Sequence, residues 1–196
     1  MSRSPAQPPS DQTSVSSALA LGLLTAAVVT LSFVGPHVSP WWVLGGYAGL
    51  FLPWLWLVRH RTDVELWHLA AAALAARLGL AFADPLLSDD LFRYVWDGRV
   101  WASGINPFEY APAADALAHL RDDAVWPQIN HPDIPTIYPP VAQYLFGLNA
   151  LLGGGTTLLK LLLVAVEAIG LATAWYVLGT RRGRWSWVRS LLVLYA

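Results

Sequence analysis

Residues 88–110 read SDDLFRYVWDGRVWASGINPFEY and set three aspartates and two arginines among aromatic side chains. Carboxylates so placed can take a proton from a hydroxyl, and guanidinium groups suit phosphate oxygens. At roughly 100° per residue, Asp89, Asp90, Arg93 and Asp97 share an arc of about 100°. Asp89 with Arg93, and Arg93 with Asp97, are i,i+4 pairs. Phe92, Val95 and Arg99 point the other way, and Trp96 and Val100 flank the arc. Ser88 suits an N-cap, which puts the acids at the positive end of a helix. Gly104 and Asn106-Pro107 stop that helix after about Ala102. The pattern predicts an amphipathic helix lying on a membrane surface, aromatics down and acids toward a cleft. A solvated face laced with ion pairs is the plainer reading. Against it stand the bulky aromatics and the apolar run that ends just before, which puts the acids near headgroup depth. Acids in apolar surroundings have raised pKa values and serve as general bases.

The elements that must position these residues are greasy. Of 196 residues, 56% are hydrophobic and 13% charged, about half the charge of a soluble chain. Composition therefore points to a polytopic membrane protein. Eleven tryptophans agree, since Trp concentrates at bilayer interfaces. A net charge of -1 argues against nucleic acid as a partner. The absence of cysteine excludes disulfides, thiolate catalysis and cysteine metal sites. The five histidines show no metal-binding spacing.

Residues 1–16, rich in Ser, Pro and Gln, read as a disordered cytoplasmic tail. Residues 17–83 hold three expected transmembrane helices, the third containing Arg77, which must snorkel or face protein. Arg59-His60-Arg61 reads as a cytoplasmic loop. Residues 84–136 carry nine of the 13 acidic residues and three arginines, punctuated by prolines. That segment is expected to be an extracytoplasmic catalytic loop. Residues 137–196 are expected to form two more transmembrane helices, about 139–152 and 158–178, and the start of a third at SLLVLYA, so a longer parent chain is expected. This count places Arg181, Arg182 and Arg184 outside, so either the positive-inside rule fails here or the 139–152 segment, short for a span, is only partly inserted.

The run SDDLFRYVWDGRVWASGINPFEYAP, followed by HPDIPTIYPPVAQ, resembles the bacterial polytopic glycosyltransferases of the GT-C type. It looks most like the mannosyltransferase-like branch that uses polyprenyl-phosphate sugars. The likeness covers residues 86–143 well. The ordered set SDD-x-x-RY-x-WDGR, G-x-NP and P-T-x-YPP is specific, whereas DD alone carries nothing. The resemblance implies an all-α integral membrane fold, a GT-C-like helical bundle with a large extracytoplasmic loop carrying amphipathic juxtamembrane helices. It implies a multi-pass protein of the inner (plasma) membrane, in contact with membrane lipid. It also implies transfer of a hexose, most often mannose, from a polyprenyl-phosphate donor to a hydroxyl of a glycan, lipid or protein, with inversion.

In that family an acidic pair just after a span supplies the base, which falls here on Asp89 or Asp90. Asp90 is preferred because Arg93 lies one turn from Asp89 and would hold it as an ion pair. A leaving phosphate needs cationic stabilisation, for which Arg93 and Arg99 are nearest and Arg121 more distant. Arg93 could equally orient the aspartates, and Asp97 completes the polar set. Tyr94, Trp96 and Trp101 could stack on a sugar or anchor the interface. His131 and Tyr138 could meet acceptor or phosphate, or simply belong to a rigid Pro-rich re-entry. A divalent ion, Mg²⁺ or Mn²⁺, on Asp89 and Asp90 is a further option, against which Arg93 already supplies positive charge. Two other functions compete: a transporter, for which only Arg77 and Glu167 lie within spans, and an inactive fragment or scaffold.

Overall fold

A computed structural model describes residues 11–34, 37–59, 66–85 and 88–179. Among the described residues the regular structure is entirely helical, with no strand. The α-helices are α1 (Asp11–Val34), α2 (Pro40–Arg59), α3 (Leu66–Phe82), α4 (Asp90–Ala102), α5 (Pro140–Leu151) and α6 (Thr156–Gly179). Short 3₁₀ turns at Asp115–Leu120 and Trp126–Gln128 punctuate the segment between α4 and α5. The first ten residues of the expected tail, the 60–65 segment, the arginines after 180 and the final apolar run lie outside the described residues. The helix α1 starts at Asp11, six residues ahead of the apolar run.

The chain divides into two compact units, residues 1–80 with 173–196, and Ala81–Ala172. In the first, small residues let helices approach closely. A Cβ on Gly46 of α2 would lie 2.9 Å from a Leu31 methyl of α1, and one on Gly79 of α3 would lie 2.6 Å from a Val29 methyl of α1. Among the described residues one helix is long and apolar enough to cross a bilayer, over Thr156–Thr173. Leu19–Val34 and Ala70–Phe82 are apolar but shorter.

The second unit is built around α4. Val95, Trp96 and Val100 of α4 form its core with Leu117, Val125, Ile129, Phe146 and Leu159. The plainer reading of α4, a solvated face laced with ion pairs, does not hold for its centre, where Arg93 is 4% exposed and Asp97 2%; nor does Trp96 face a membrane, being part of the core. The cause is α5, which crosses α4 almost backbone to backbone. A Cβ on Gly98 would stand 2.1 Å from the Phe146 carbonyl oxygen, and one on Gly147 would stand 2.2 Å from the Trp101 ring. The glycine of WDGR is therefore a packing residue. Gly104, at φ 78°, ends α4 in a Schellman turn, with the Ile105 N–H donating to the Val100 carbonyl at 3.2 Å. Gly153, at φ 69°, ends α5 likewise, with the Gly154 N–H on the Asn149 carbonyl at 2.9 Å.

Two features of α5 depart from expectation. It has 12 residues, about 18 Å of helix, against about 30 Å of hydrocarbon. The segment expected to span over 139–152 thus forms a helix shorter than the hydrocarbon is thick; Pro140 opens it and Gly153 closes it. Its polarity is also inverted. Gln143 and Asn149 are buried, while Val141 (80% exposed), Tyr144, Leu148 and Leu151 face outward. Beyond the following turn, Lys160 of α6 donates to the Ala83 carbonyl at the end of α3.

Candidate active site

Ser88 lies one residue outside the expected geometry. Its hydroxyl accepts the Asp90 N–H at 3.2 Å, while Asp89 occupies the N-cap position without a side-chain capping bond. Asp90 therefore opens α4, and its carboxylate turns toward the chain that leads into α5. Asn130 Nδ2 donates to Asp90 Oδ1 at 2.7 Å. The Tyr138 hydroxyl lies close enough to the same carboxylate to favour its charged form. Tyr138 meets Tyr94 edge-on at 4.7 Å, and Tyr94 stacks on Phe146 at 4.7 Å and 8°. The aspartate, two phenols and an amide thus form one cluster, with His131 close enough for its charge to act on Asp90.

These contacts set the protonation states. The Asn130 hydrogen bond holds the Asp90 carboxyl below the usual aspartate value of 3.8, with help from Ser88, Tyr138 and His131 that outweighs partial burial. The raised pKa expected for an acid in apolar surroundings is not found, because donors to the charged form outweigh desolvation. Burial pushes the Tyr138 hydroxyl up, and the neighbouring Tyr94 and Asp90 push it further. Burial and Asp90 also raise Tyr94. Both phenols stay protonated and can donate.

The arginines lie elsewhere. Arg93 does not pair with Asp89. Its Nε donates to Asp97 Oδ1 at 2.9 Å, and its two terminal nitrogens donate to the His131 (3.4 Å) and Ile134 (2.8 Å) carbonyls. Gln143 Nε2 bridges Asp97 Oδ2 (3.3 Å) and Thr136 Oγ1 (2.9 Å). The stated ground for preferring Asp90, an ion pair on Asp89, thus fails; the Asn130 contact replaces it. Arg99 lies about 180° around α4 from Asp90 and pairs with Asp122 at 2.5 Å. Burial opposes ionisation of Asp122, yet the Val125 N–H and Arg99 bring its pKa below the ordinary value. Arg121 Nη2 donates to the Pro112, Ala113 and Ala114 carbonyls, and its guanidinium lies 4.4 Å from the Trp126 ring centre. All three guanidiniums are engaged inside the fold, not aimed at the Asp90 cluster.

Of the expected site residues, the structure brings together Asp90, Tyr94, Tyr138 and His131. It sets Arg93 with Asp97 beside them, leaves Asp89 exposed at the rim and sends Arg99 away. Trp96 is core, tilted on Trp126 at 5.3 Å, so no sugar stacks there. Trp101 covers Gly147 and meets Tyr144. No three His, Asp or Glu side chains gather as a metal site among the described residues. Asp89 and Asp90 diverge instead: one is unengaged, the other committed to Asn130 and Tyr138. Asn130, Thr136 and Gln143 are additions that spacing did not reveal, although Gln143 closes the quoted HPDIPTIYPPVAQ.

Residues 12–184 match the family model described as alpha-(1->6)-mannopyranosyltransferase, N-terminal domain. The chain belongs to this family. It is accordingly a mannosyltransferase-family domain, a glycosyltransferase that works on a mannose donor and an acceptor. The family assignment gives the transporter reading no support. No curated protein and no solved structure matches the chain.

Proposed function

We propose that this mannosyltransferase domain is of the GT-C type, moving mannose from a polyprenyl-phosphate donor to an acceptor hydroxyl with inversion, and that Asp90 is its base. The observation that carries the assignment is the Asn130 amide on Asp90 Oδ1 at 2.7 Å, with Tyr138 of the second motif half packed edge-on against Tyr94 one turn along α4. A base must be ionised and aimed. Asp90 satisfies both conditions, whereas Asp89 has no side-chain partner to aim it. The acceptor oxygen attacks the anomeric carbon and its proton passes to the Asp90 carboxylate. The bond from that carbon to the phosphate oxygen breaks, and its electron pair leaves with the lipid phosphate. Arg93, Arg99 and Arg121 are engaged elsewhere, and exposed His131 lies beside the Asp90 cluster, where it could meet that phosphate.

The apolar helices α1–α3 and the span-length α6 support a multi-pass placement in the plasma membrane, with the site outside and beside lipid. Mannosyl transfer by the full chain in membranes tests the reading. Asp90→Asn lowers turnover by at least about 10²-fold, and Asp89→Asn by only a few-fold. Retained turnover in Asp90→Asn overturns the assignment of the base. Equal rates from a nucleotide-linked mannose overturn the assignment of the donor.

A further inference from the structure

Arg93 is buried beside the site, yet it touches neither Asp89 nor Asp90. Its bonds converge on one short turn. The His131 carbonyl takes one terminal nitrogen, the Ile134 carbonyl takes the other, and Asp97 holds Nε from behind. The same turn is closed by the Ile134 N–H on the His131 carbonyl at 3.2 Å, and fastened by the Ala113 N–H on the Pro132 carbonyl at 2.8 Å. His131 sits at φ 48°, a left-handed conformation uncommon for a non-glycine residue and disfavoured just before proline. Such a conformation persists only where surrounding bonds over-determine it. The residue delivered by this constrained turn is Asn130, whose amide reaches across 40 positions to Asp90 Oδ1.

We propose that Arg93 is a positioning residue: held by Asp97, it clamps the 131–134 turn so that Asn130 aims the Asp90 carboxylate at the acceptor hydroxyl. The inference rests on Asp90 as the base and takes Arg93 away from the leaving phosphate. Asp97, Gln143 and Thr136 become the back of the clamp. A lysine at 93 brings the charge but not the planar fork that serves three acceptors at once.

The test is a double-mutant cycle on the full chain in membranes, with donor KM and kcat measured for Arg93→Lys, Asn130→Ala and both together. Each single change lowers kcat at least about tenfold while donor KM stays within about twofold. The double variant falls little below the worse single, because Arg93 acts through Asn130; coupled residues are non-additive. Effects that multiply overturn the proposal, and so does a rise in donor KM at unchanged kcat for Arg93→Lys, the signature of a phosphate contact. If Arg93→Lys does not fold, Asp97→Asn takes its place in the cycle. It keeps the shape and an oxygen partner for Nε while removing the charge. Asp90→Asn separates the two readings. Activity in that variant removes the base assignment, whereas an inactive variant with a multiplicative cycle removes only the clamp.

Discussion

At the residue scale, the site depends on which partner each charge finds. Spacing offers Arg93 two equal carboxylates, four residues before and four after. Burial decides between them: Asp97 lies under α5, while Asp89 sits in the open first turn. No one-dimensional pattern contains that information. Asn130 was equally hidden, being an amide in a Pro-rich run with no periodicity to mark it. Asp90, Tyr138 and His131 were legible through the motif they belong to. The depressed Asp90 pKa has a direct consequence for pH dependence. The half-point of the acid limb of transfer should lie below the ordinary aspartate value, about 3.9. Removing the donor to the charged form raises the pKa, so Asn130→Ala moves the acid limb of kcat/KM upward; an unmoved limb would remove Asn130 as the cause. Asp122 makes a stability prediction of the same sign. Its folded pKa is depressed, so its contribution is present above the unfolded value and is lost as pH falls through the folded one. The stability gap between the native chain and Asp122→Ala should close in acid, as thermal melts at stepped pH would show.

At the element scale, α4 shows what a helical wheel can and cannot give. Of the arc of Asp89, Asp90, Arg93 and Asp97, the Arg93–Asp97 pair forms and the Asp89–Arg93 pair does not. The direction the arc faces was not legible, because a wheel names neighbours on a face but not what covers them. The cover arrives from 40 residues downstream, and it fits because Gly98 and Gly147 have no side chains. Gly98→Ala puts a methyl group against the Phe146 backbone, which cannot rotate away. The expected loss is about 1–3 kcal/mol or more, read as a lowered unfolding temperature together with lost transfer. Gly45→Ala, with open space around its Cβ, should leave both unchanged. Equal behaviour of the two variants would show that the crossing is looser than described.

At the scale of the whole molecule, composition and apolar runs made the helical class legible, and an ordered motif made the family legible. The number of bilayer crossings was not legible in the same way. Hydropathy scores α5 by its composition, whereas its end signals, Pro140 and Gly153, fix its length at a little over half a bilayer. Its outward Val141, Tyr144, Leu148 and Leu151 suit acyl chains better than water, in keeping with the proposed membrane placement. Under that proposed placement, a helix dipping into one leaflet and returning would change the parity of the chain. In the proposed placement α3 and α6 would be the two passes between Arg59–Arg61 and Arg181–Arg184 in the sequence, instead of three, and an even number would leave both basic clusters on one side. The native chain has no cysteine, so single cysteines can report this cleanly. An impermeant maleimide applied outside intact cells should label Asp123→Cys and spare Gly183→Cys. Labelling of both would mean that the short helix crosses after all.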